Sequence, residues 1–558
     1  MPHSRAQSMP GGEAAQPGRD GVPTGVPSQQ PAAPSIEPQT AVFAIDAFDV
    51  VGNTLLDELT VDATVLPFGG PDRTVSDIDA ARAALEKQYR DRGFDSVIVN
   101  AETPDQFAIV RLQVIETRVG TVSVKGARFA SEAVVRQQLA EIEPGKVPNF
   151  RRVERQISEA NRHFANREIT LLPRAGAAPG TIDVEARVTD TLPLTASLEV
   201  NNNRNRDTAP LRFNASIGHT DLWGRGHRLS FGFGVAPERP SNSQILSAGY
   251  VAPILGSPWS LSLNGLRSTS NTALSLGSQT VIGNGYTIGG RAQYEIPVVG
   301  STAQVIRFGA DFKDYKQDIS ATIGGALTQQ FPRLRWLSLV GDYVVQQSSE
   351  RATSSLTVSL STGVRAGSQQ QVEIDNPEAF LPLQPPTIFV PAFQYTRADA
   401  RGNYTKLSAE AVHTQSVLTD LVLVGRAQGQ ISDTPLLPNE QFSIGGFYTV
   451  RGYLVGEAVG DNGIVGTLEV RSPDYATPIG EFVDSARYFV FVDGGLVRTL
   501  RVLPQQSRGT PLASFGIGAR LELFKTLTGE VVGAVPLRDG EVTRRGDPRV
   551  NFSVRAGF

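Results

Sequence analysis

From Leu192 to the last residue, apolar positions alternate with polar or small ones. Leu229, Phe231, Phe233 and Val235 interleave with Arg228, Ser230, Gly232 and Gly234. Ala513, Phe515, Ile517, Ala519, Leu521 and Leu523 interleave with Ser514, Gly516, Gly518, Arg520 and Glu522. In the final run Val550, Phe552, Val554, Ala556 and Phe558 share one face, opposite Asn551, Ser553, Arg555 and Gly557. A strand turns successive side chains to opposite faces, so each run has one apolar and one polar face. Runs of about 9–11 residues are long enough for a tilted strand to cross a lipid bilayer.

Ahead of residue 190 the period is helical. Ile78, Ala81, Leu85 and Tyr89 line one face of a helix expected from Ile78 to Arg92, capped by Asp77 and ended by Gly93. Val153, Ile157, Ala160 and Phe164 line a second, expected over Phe150 to Phe164, and Ser131 opens a shorter one through Leu139. Strand patterns flank these helices. The arrangement suggests two successive β-α-α-β-β units of about 75 residues, a repeat of architecture and not of sequence. Residues 40–118 form the first small α+β domain and 119–190 the second.

The alternating part could be a soluble sandwich with one wet face. Its length of about 365 residues without helical periodicity exceeds the ~200–250 of ordinary single sandwiches. Long glycine-rich loops also alternate with short ones, as in outer-membrane barrels. The expected fold is therefore a membrane β-barrel over 191–558, of about 16 antiparallel strands, since an even number closes without a free edge. Starts are expected near Pro193, Leu211, His227, Gln244, Pro258, Asn284, Ala303, Pro332, Ala352, Asp399, Val417, Gly463, Ala486, Ala513, Thr526 and Pro548. That many strands enclose an aqueous lumen. Two loops are long, at roughly 365–398 and 432–462.

Composition narrows this only a little. The net charge of −4 gives no bulk argument for nucleic acid. The absence of cysteine excludes disulfide staples and thiolate metal sites, and fits passage through an oxidising compartment. No apolar run reaches the ~18 residues of a membrane helix. Residues 1–39, rich in Pro, Gly, Ala, Ser and Gln, are expected to be a disordered tether; they lack the helical spacing of a plug and the apolar centre of a signal peptide.

The chemistry concentrates in the 432–462 loop, where Gly445-Gly446-Phe447-Tyr448-Thr449-Val450-Arg451-Gly452-Tyr453 carries one arginine among glycines and apolar neighbours. About forty residues on comes Phe491-Val492-Asp493-Gly494-Gly495 in a strand pattern. Arg487, Phe489, Phe491 and Asp493 share one face, opposite Tyr488, Val490 and Val492, which suit lipid; Asp493 is therefore expected to face the lumen. In the preceding strand Thr467, Glu469 and Arg471 share a face, so the lumen wall carries both signs of charge. If the loop folds inward, Arg451 meets Asp493 in a directional bidentate contact. The alternative is an arginine solvated in a surface loop.

Val450-Arg451-Gly452-Tyr453 resembles the inward-folding loop signature of the two-partner secretion transporters (TpsB), relatives of the outer-membrane assembly factors. Phe491, Asp493 and Gly495 resemble the partner motif in the barrel wall, and the two α+β units resemble POTRA domains. Asp221-Leu222-Trp223-Gly224-Arg225-Gly226 looks like an early barrel turn of that superfamily. The resemblance covers about 40–558. It implies that Arg451 is the loop tip and Asp493 its wall partner. It further implies an outer-membrane transporter with periplasmic POTRA domains, a secreted exoprotein (TpsA-like) as partner, and no cofactor. The terminal Phe558 resembles the signal read by the barrel assembly machinery. A barrel insertase and a passive porin are the alternatives; the first usually has more POTRA domains, and the second needs none. No hydrolase or phosphate-loop motif points to an enzyme, and the scattered histidines, His219 and His227 included, have no metal spacing.

Overall fold

The computed structural model describes residues 42–558 except 207, 241–242, 277–278, 317, 320–328, 331, 365–369, 377–383, 419, 477–479 and 503–506. The expected tether at 1–39 lies outside the described residues. The chain divides into two bodies, one of them formed by the residues up to Tyr89 with Val97–Ile115.

In that first body β1 (Phe43–Ile45), β2 (Ala47–Val51), α1 (Glu58–Val65), β3 (Gly70–Arg73), α2 (Val75–Asp91), β4 (Ile98–Ala101) and β5 (Ile109–Ile115) follow in order. The main sheet runs β2-β5-β4, with β2 parallel to β5. Ile78, Ala81, Leu85 and Tyr89 of α2 are buried, as their spacing requires. The expected start of α2 needs correction. The helix begins at Val75, and Asp77 lies inside its first turn, where it accepts from the Thr74 amide and hydroxyl, both at 2.8 Å. Helix α1 is the other helix of the expected β-α-α-β-β unit, to which the sequence reading assigned no residues. Asp57 caps it through the Thr60 amide, but only Val61 and Val65 turn inward, too few to mark a period.

The second body opens with an α+β unit: β6 (Arg118–Lys125), α3 (Glu132–Gln138), α4 (Phe150–His163), β7 (Arg167–Ala175) and β8 (Thr181–Asp190), in the sheet order β6-β8-β7. Ser131 and Asn149 cap the two helices through the amides of Val134 and Arg152. The Asp190 carboxylate accepts from the amides of Arg128, Phe129 and Ala130 at 2.8–3.0 Å, fixing the turn between β6 and α3.

Sixteen antiparallel strands then close into a barrel. They are β9 (Leu194–Asn201), β10 (Arg212–Leu222), β11 (His227–Val235), β12 (Gln244–Pro253), β13 (Trp259–Leu276), β14 (Gln279–Val299), β15 (Thr302–Lys316) and β16 (Leu334–Ser348). The second half comprises β17 (Ala352–Val364), β18 (Thr405–Val417), β19 (Leu421–Ser432), β20 (Asn462–Arg471), β21 (Val483–Arg498), β22 (Gly509–Leu523), β23 (Leu527–Pro536) and β24 (Arg549–Gly557). The strand expected near Asp399 starts instead at Thr405. A short helix, α5 (Ala392–Thr396), buries Phe393 just before it, and Asp399 holds a left-handed turn at φ 60° that no strand admits. The strand expected near Asn284 starts earlier, at Gln279.

The pleat sets the two surfaces. In β21, Tyr488, Val490 and Val492 are 48–60% exposed on the outside, whereas Phe489, Phe491 and Asp493 are at most 5% exposed. The inward Phe489 and Phe491 rings cover the facing glycines of β22: a Cβ at Gly516 would come within 2.5 Å of the Phe491 ring, and one at Gly518 within 2.3 Å of the Phe489 ring. The α+β unit of this body is fastened to the turn after β10. Arg167, wholly buried and stacked 4.2 Å from the centre of the Phe164 ring, pairs with Asp221, which also accepts from the Gly226 amide at 2.8 Å.

Candidate functional site

Residues 433–461, between β19 and β20, place the 445–453 motif against the inner faces of β21, β22 and β23. A two-stranded hairpin, Phe442–Ile444 with Ala458–Gly460, brings the two ends of the motif together. Gly445 sits at its neck with φ 107°, and a Cβ there would meet the Leu454 carbonyl oxygen at 2.4 Å. Thr449 closes the turn by donating to the Gly445 carbonyl and accepting from its amide, both at 2.9 Å. Val450 and Tyr453 then pack with Ile444, Val465, Val497 and Leu512 in a small apolar core between loop and wall. Gly452 turns the chain at φ 92°, and the Tyr453 hydroxyl lies 2.9 and 2.8 Å from the carbonyls of Ala513 and Arg538.

This packing leaves Arg451 one direction in which to extend. Its Nε and backbone amide donate to Asp493 Oδ2 at 2.8 and 3.0 Å, and its Nη2 donates to Oδ1 at 2.8 Å. Its Nη1 donates to Glu469 Oε2 at 2.7 Å, and Glu469 Oε1 accepts from Arg471 Nε at 2.8 Å. The guanidinium carbon lies 3.4 Å from the centre of the Phe491 ring. Two cations and two carboxylates thus balance, and the aromatic face covers the planar cation. Arg451 and Glu469 are each 6% exposed and Asp493 1%. Removing one member of such a buried pair strands the other, at about 3–5 kcal/mol.

Val450, Arg451, Gly452 and Tyr453 therefore meet the wall as one group, and Phe491 and Asp493 are the wall residues they meet. Gly495 lies one pleat further along β21, where a Cβ would stand 3.0 Å from the Ile464 carbonyl oxygen and 3.2 Å from the Ile444 side chain. Phe558 is elsewhere, paired with Ala196 beside β24 and exposed on the outer surface.

Sequence reasoning did not bring Glu469 into the Arg451 contact, although it placed Glu469 on the lumen face. It missed three further acids that hold the loop. Glu440 is wedged between Lys313 at 2.5 Å and Lys406 at 2.8 Å. Burial pushes its carboxyl up, but the two ammonium groups outweigh this and hold it at about 2. Asp461 takes Arg397 at 2.6 Å and the amides of Leu436 and Leu500 at 2.8 and 2.7 Å. Glu457 binds the 537–548 loop. An acid beside apolar residues in a long loop was the available signal, and it does not name a partner. Among the described residues no cluster of acids and histidines could hold a metal ion.

A transmembrane barrel with an N-terminal α+β region and a charged loop drawn into its lumen defines a class of outer-membrane protein translocators. The haemolysin secretion/activation protein ShlB/FhaC/HecB profile matches residues 180–521, and the ShlB-type POTRA domain profile matches residues 43–117. The first match spans more than half of the chain, and the protein belongs to the ShlB/FhaC/HecB family: it is an outer-membrane transporter of two-partner secretion. CdiB from Escherichia coli has a similar structure, with a TM-score of 0.61 at 16% identity over 95% of this chain and 93% of that one. CdiB from Acinetobacter baumannii follows with a TM-score of 0.56, 14% identity and coverage of 94% and 91%. BamA from Haemophilus ducreyi lacking POTRA domains 1–3 reaches 0.51 at 13%, covering 92% and 100%. At these identities the likeness is one of fold. No curated protein sequence matches the chain.

Proposed function

We propose that the 432–462 loop is the resting closure of the transport path, held in the lumen by Arg451 on Asp493, and that a secreted TpsA-like exoprotein passes unfolded when this hold is released. The observation that carries the reading is the three-bond contact from Arg451 to a carboxylate buried in the barrel wall. A contact of this kind is strong while dry and exchanges readily once water reaches it.

In this reading residues 119–190 are a second POTRA domain, and both POTRA domains stand in the periplasm. The client arrives as an extended segment and adds to an exposed sheet edge. A groove of about 380 Å³ lined by Phe150, Val153, Ile157 and Leu171 runs beside the edge strand β7 and would take its apolar side chains. No cofactor takes part. Folding of the client outside biases the direction of movement, so a client unable to fold there should stall in the channel. Phe558, on the outer surface beside lipid, is the contact for the barrel assembly machinery during insertion.

The test is conductance in planar bilayers. Arg451→Ala and Asp493→Ala should each conduct differently from wild type, and alike, because each breaks the same contact. Wild-type conductance in both variants would sink the reading.

A further inference from the structure

The barrel closes where β24 meets β9, and this is its shortest ladder. Five residue pairs join the two strands, from Ser553–Asn201 to Gly557–Ser197, and the terminal Phe558 adds a reciprocal backbone pair with Ala196, against eight on each flanking ladder. The outer part of β24, Arg549 to Phe552, lies beyond the last of these pairs. It pairs with β23 on one side. On the other, Asn202 stands in for a strand. Its Nδ2 donates to the Val550 carbonyl and its Oδ1 accepts from the Phe552 amide, both at 2.9 Å.

The two loops that flank this seam, 202–211 after β9 and 537–548 before β24, are both gripped by the loop in the lumen. On one side the Phe447 amide donates to Asn203 Oδ1 at 3.1 Å and the Val455 amide to the Arg204 carbonyl at 2.9 Å. On the other, Glu457 Oε1 accepts from the amides of Val542 and Thr543 at 2.9 and 2.6 Å. Its Oε2 accepts from the Thr543 hydroxyl at 2.7 Å and the Leu454 amide at 3.0 Å. Glu457 is 6% exposed; its charge is met by these amides and the hydroxyl, and by the field of Arg549 at the start of β24. Among the described residues the one direct ion pair between the flanking loops, Arg206–Glu541, is largely exposed and contributes little.

We infer that Glu457 is a positioning residue that clasps the β9–β24 seam, so that withdrawal of the loop and loosening of the seam are one event. A stretch of eleven residues, 447–457, holds both sides of the barrel's weakest join. The same residues hold Arg451 on Asp493, and losing either anchor weakens the other. Opening therefore widens the lumen at the seam as well as emptying it. This inference rests on the loop being the closure proposed above.

The chain has no cysteine, so a single engineered disulfide is unambiguous. Val200 and Val554 face each other across the seam. In planar bilayers Glu457→Ala should open about tenfold more often than wild type, as expected for losing hydrogen bonds to a charged acceptor. Joining β9 to β24 through Val200→Cys and Val554→Cys should return Glu457→Ala to the wild-type frequency, and a reductant should restore the excess. If Glu457→Ala does not insert, Glu457→Gln, which keeps the size and one carbonyl acceptor, should show the same pattern at smaller amplitude. An excess that persists with the disulfide formed, or no excess in the variant that inserts, overturns the clasp. Wild-type conductance in Arg451→Ala overturns the underlying closure, which keeps the two failures distinct.

Discussion

Strand β21 and the loop at 433–461 run past each other at Asp493, and they are held in different ways. The strand is held by ladders to β20 and β22, through ten and fifteen residue pairs, and its outer side chains are largely exposed. The loop has one short hairpin of its own and is otherwise held by named side chains: Glu440, Arg451, Glu457 and Asp461. Backbone ladders repeat and do not depend on which side chain is present. Charged anchors do not repeat, and each has one set of partners. The outer face of the wall should therefore tolerate substitution where the loop and its inward-facing partners do not, and the loop is the part that can be released as a unit.

The sharpest way to break this contrast is Arg451→Lys, which keeps the charge but not the fork. An ammonium group cannot reach Asp493 twice and Glu469 once, so the variant should conduct like Arg451→Ala, with a loss of about 3–5 kcal/mol in the hold. Wild-type conductance would mean that charge alone suffices. A somewhat smaller effect is expected of Gly445→Val. Its φ of 107° and the Leu454 carbonyl at 2.4 Å admit no branched side chain, at about 1–3 kcal/mol for the backbone alone. Channel openings should become frequent while the folded barrel still migrates as wild type in unheated gels.

The α+β unit offers a test at the opposite end of the barrel. Arg167→Ala leaves Asp221 buried without its cation, so secretion of the client should fall several-fold with little change in resting conductance. Equal change in both readouts would place Arg167 in the closure itself.

Acid should separate loop from wall more gently. Burial alone would raise the Glu457 carboxyl, but the amides and hydroxyl around it hold it below its ordinary value. Its contribution is therefore complete above the ordinary carboxylate value of about 4.3 and is lost as pH falls through the lowered one. The difference in opening frequency between wild type and Glu457→Gln should persist at pH 5 and vanish only in stronger acid. The smallest effect belongs to the outer wall. Val490→Leu and Leu468→Ala, both facing outward, should leave conductance unchanged and inserted amounts nearly so. A clear loss in either would show that the wall is not as tolerant as the contrast requires.

Much of this architecture can be read along the chain, and the misses have physical causes. Alternation marks the barrel strands because lipid and water select side chains residue by residue. It fails at Asp399, where a left-handed turn and a buried Phe393 intervene without disturbing the local composition. Helix α2 was legible from four apolar positions, but its start was not, because Thr74 and Asp77 cap each other and either residue alone suggests the boundary. Helix α1, with two inward residues, has almost no period to find.

By itself the sequence pointed to about sixteen strands and to the inward face of Asp493, because each depends on neighbours a few residues away; it offered the meeting of Arg451 with Asp493 only beside the alternative of a solvated surface arginine. Only the tertiary structure decided that Glu469 shares the Arg451 guanidinium, that Glu457 seeks amides 85 residues on, and that Asn202 completes a strand 350 residues distant. A side chain bonding to a remote backbone leaves no period and no composition behind it. Its partner is fixed only when the closing of the barrel brings the first strand beside the last.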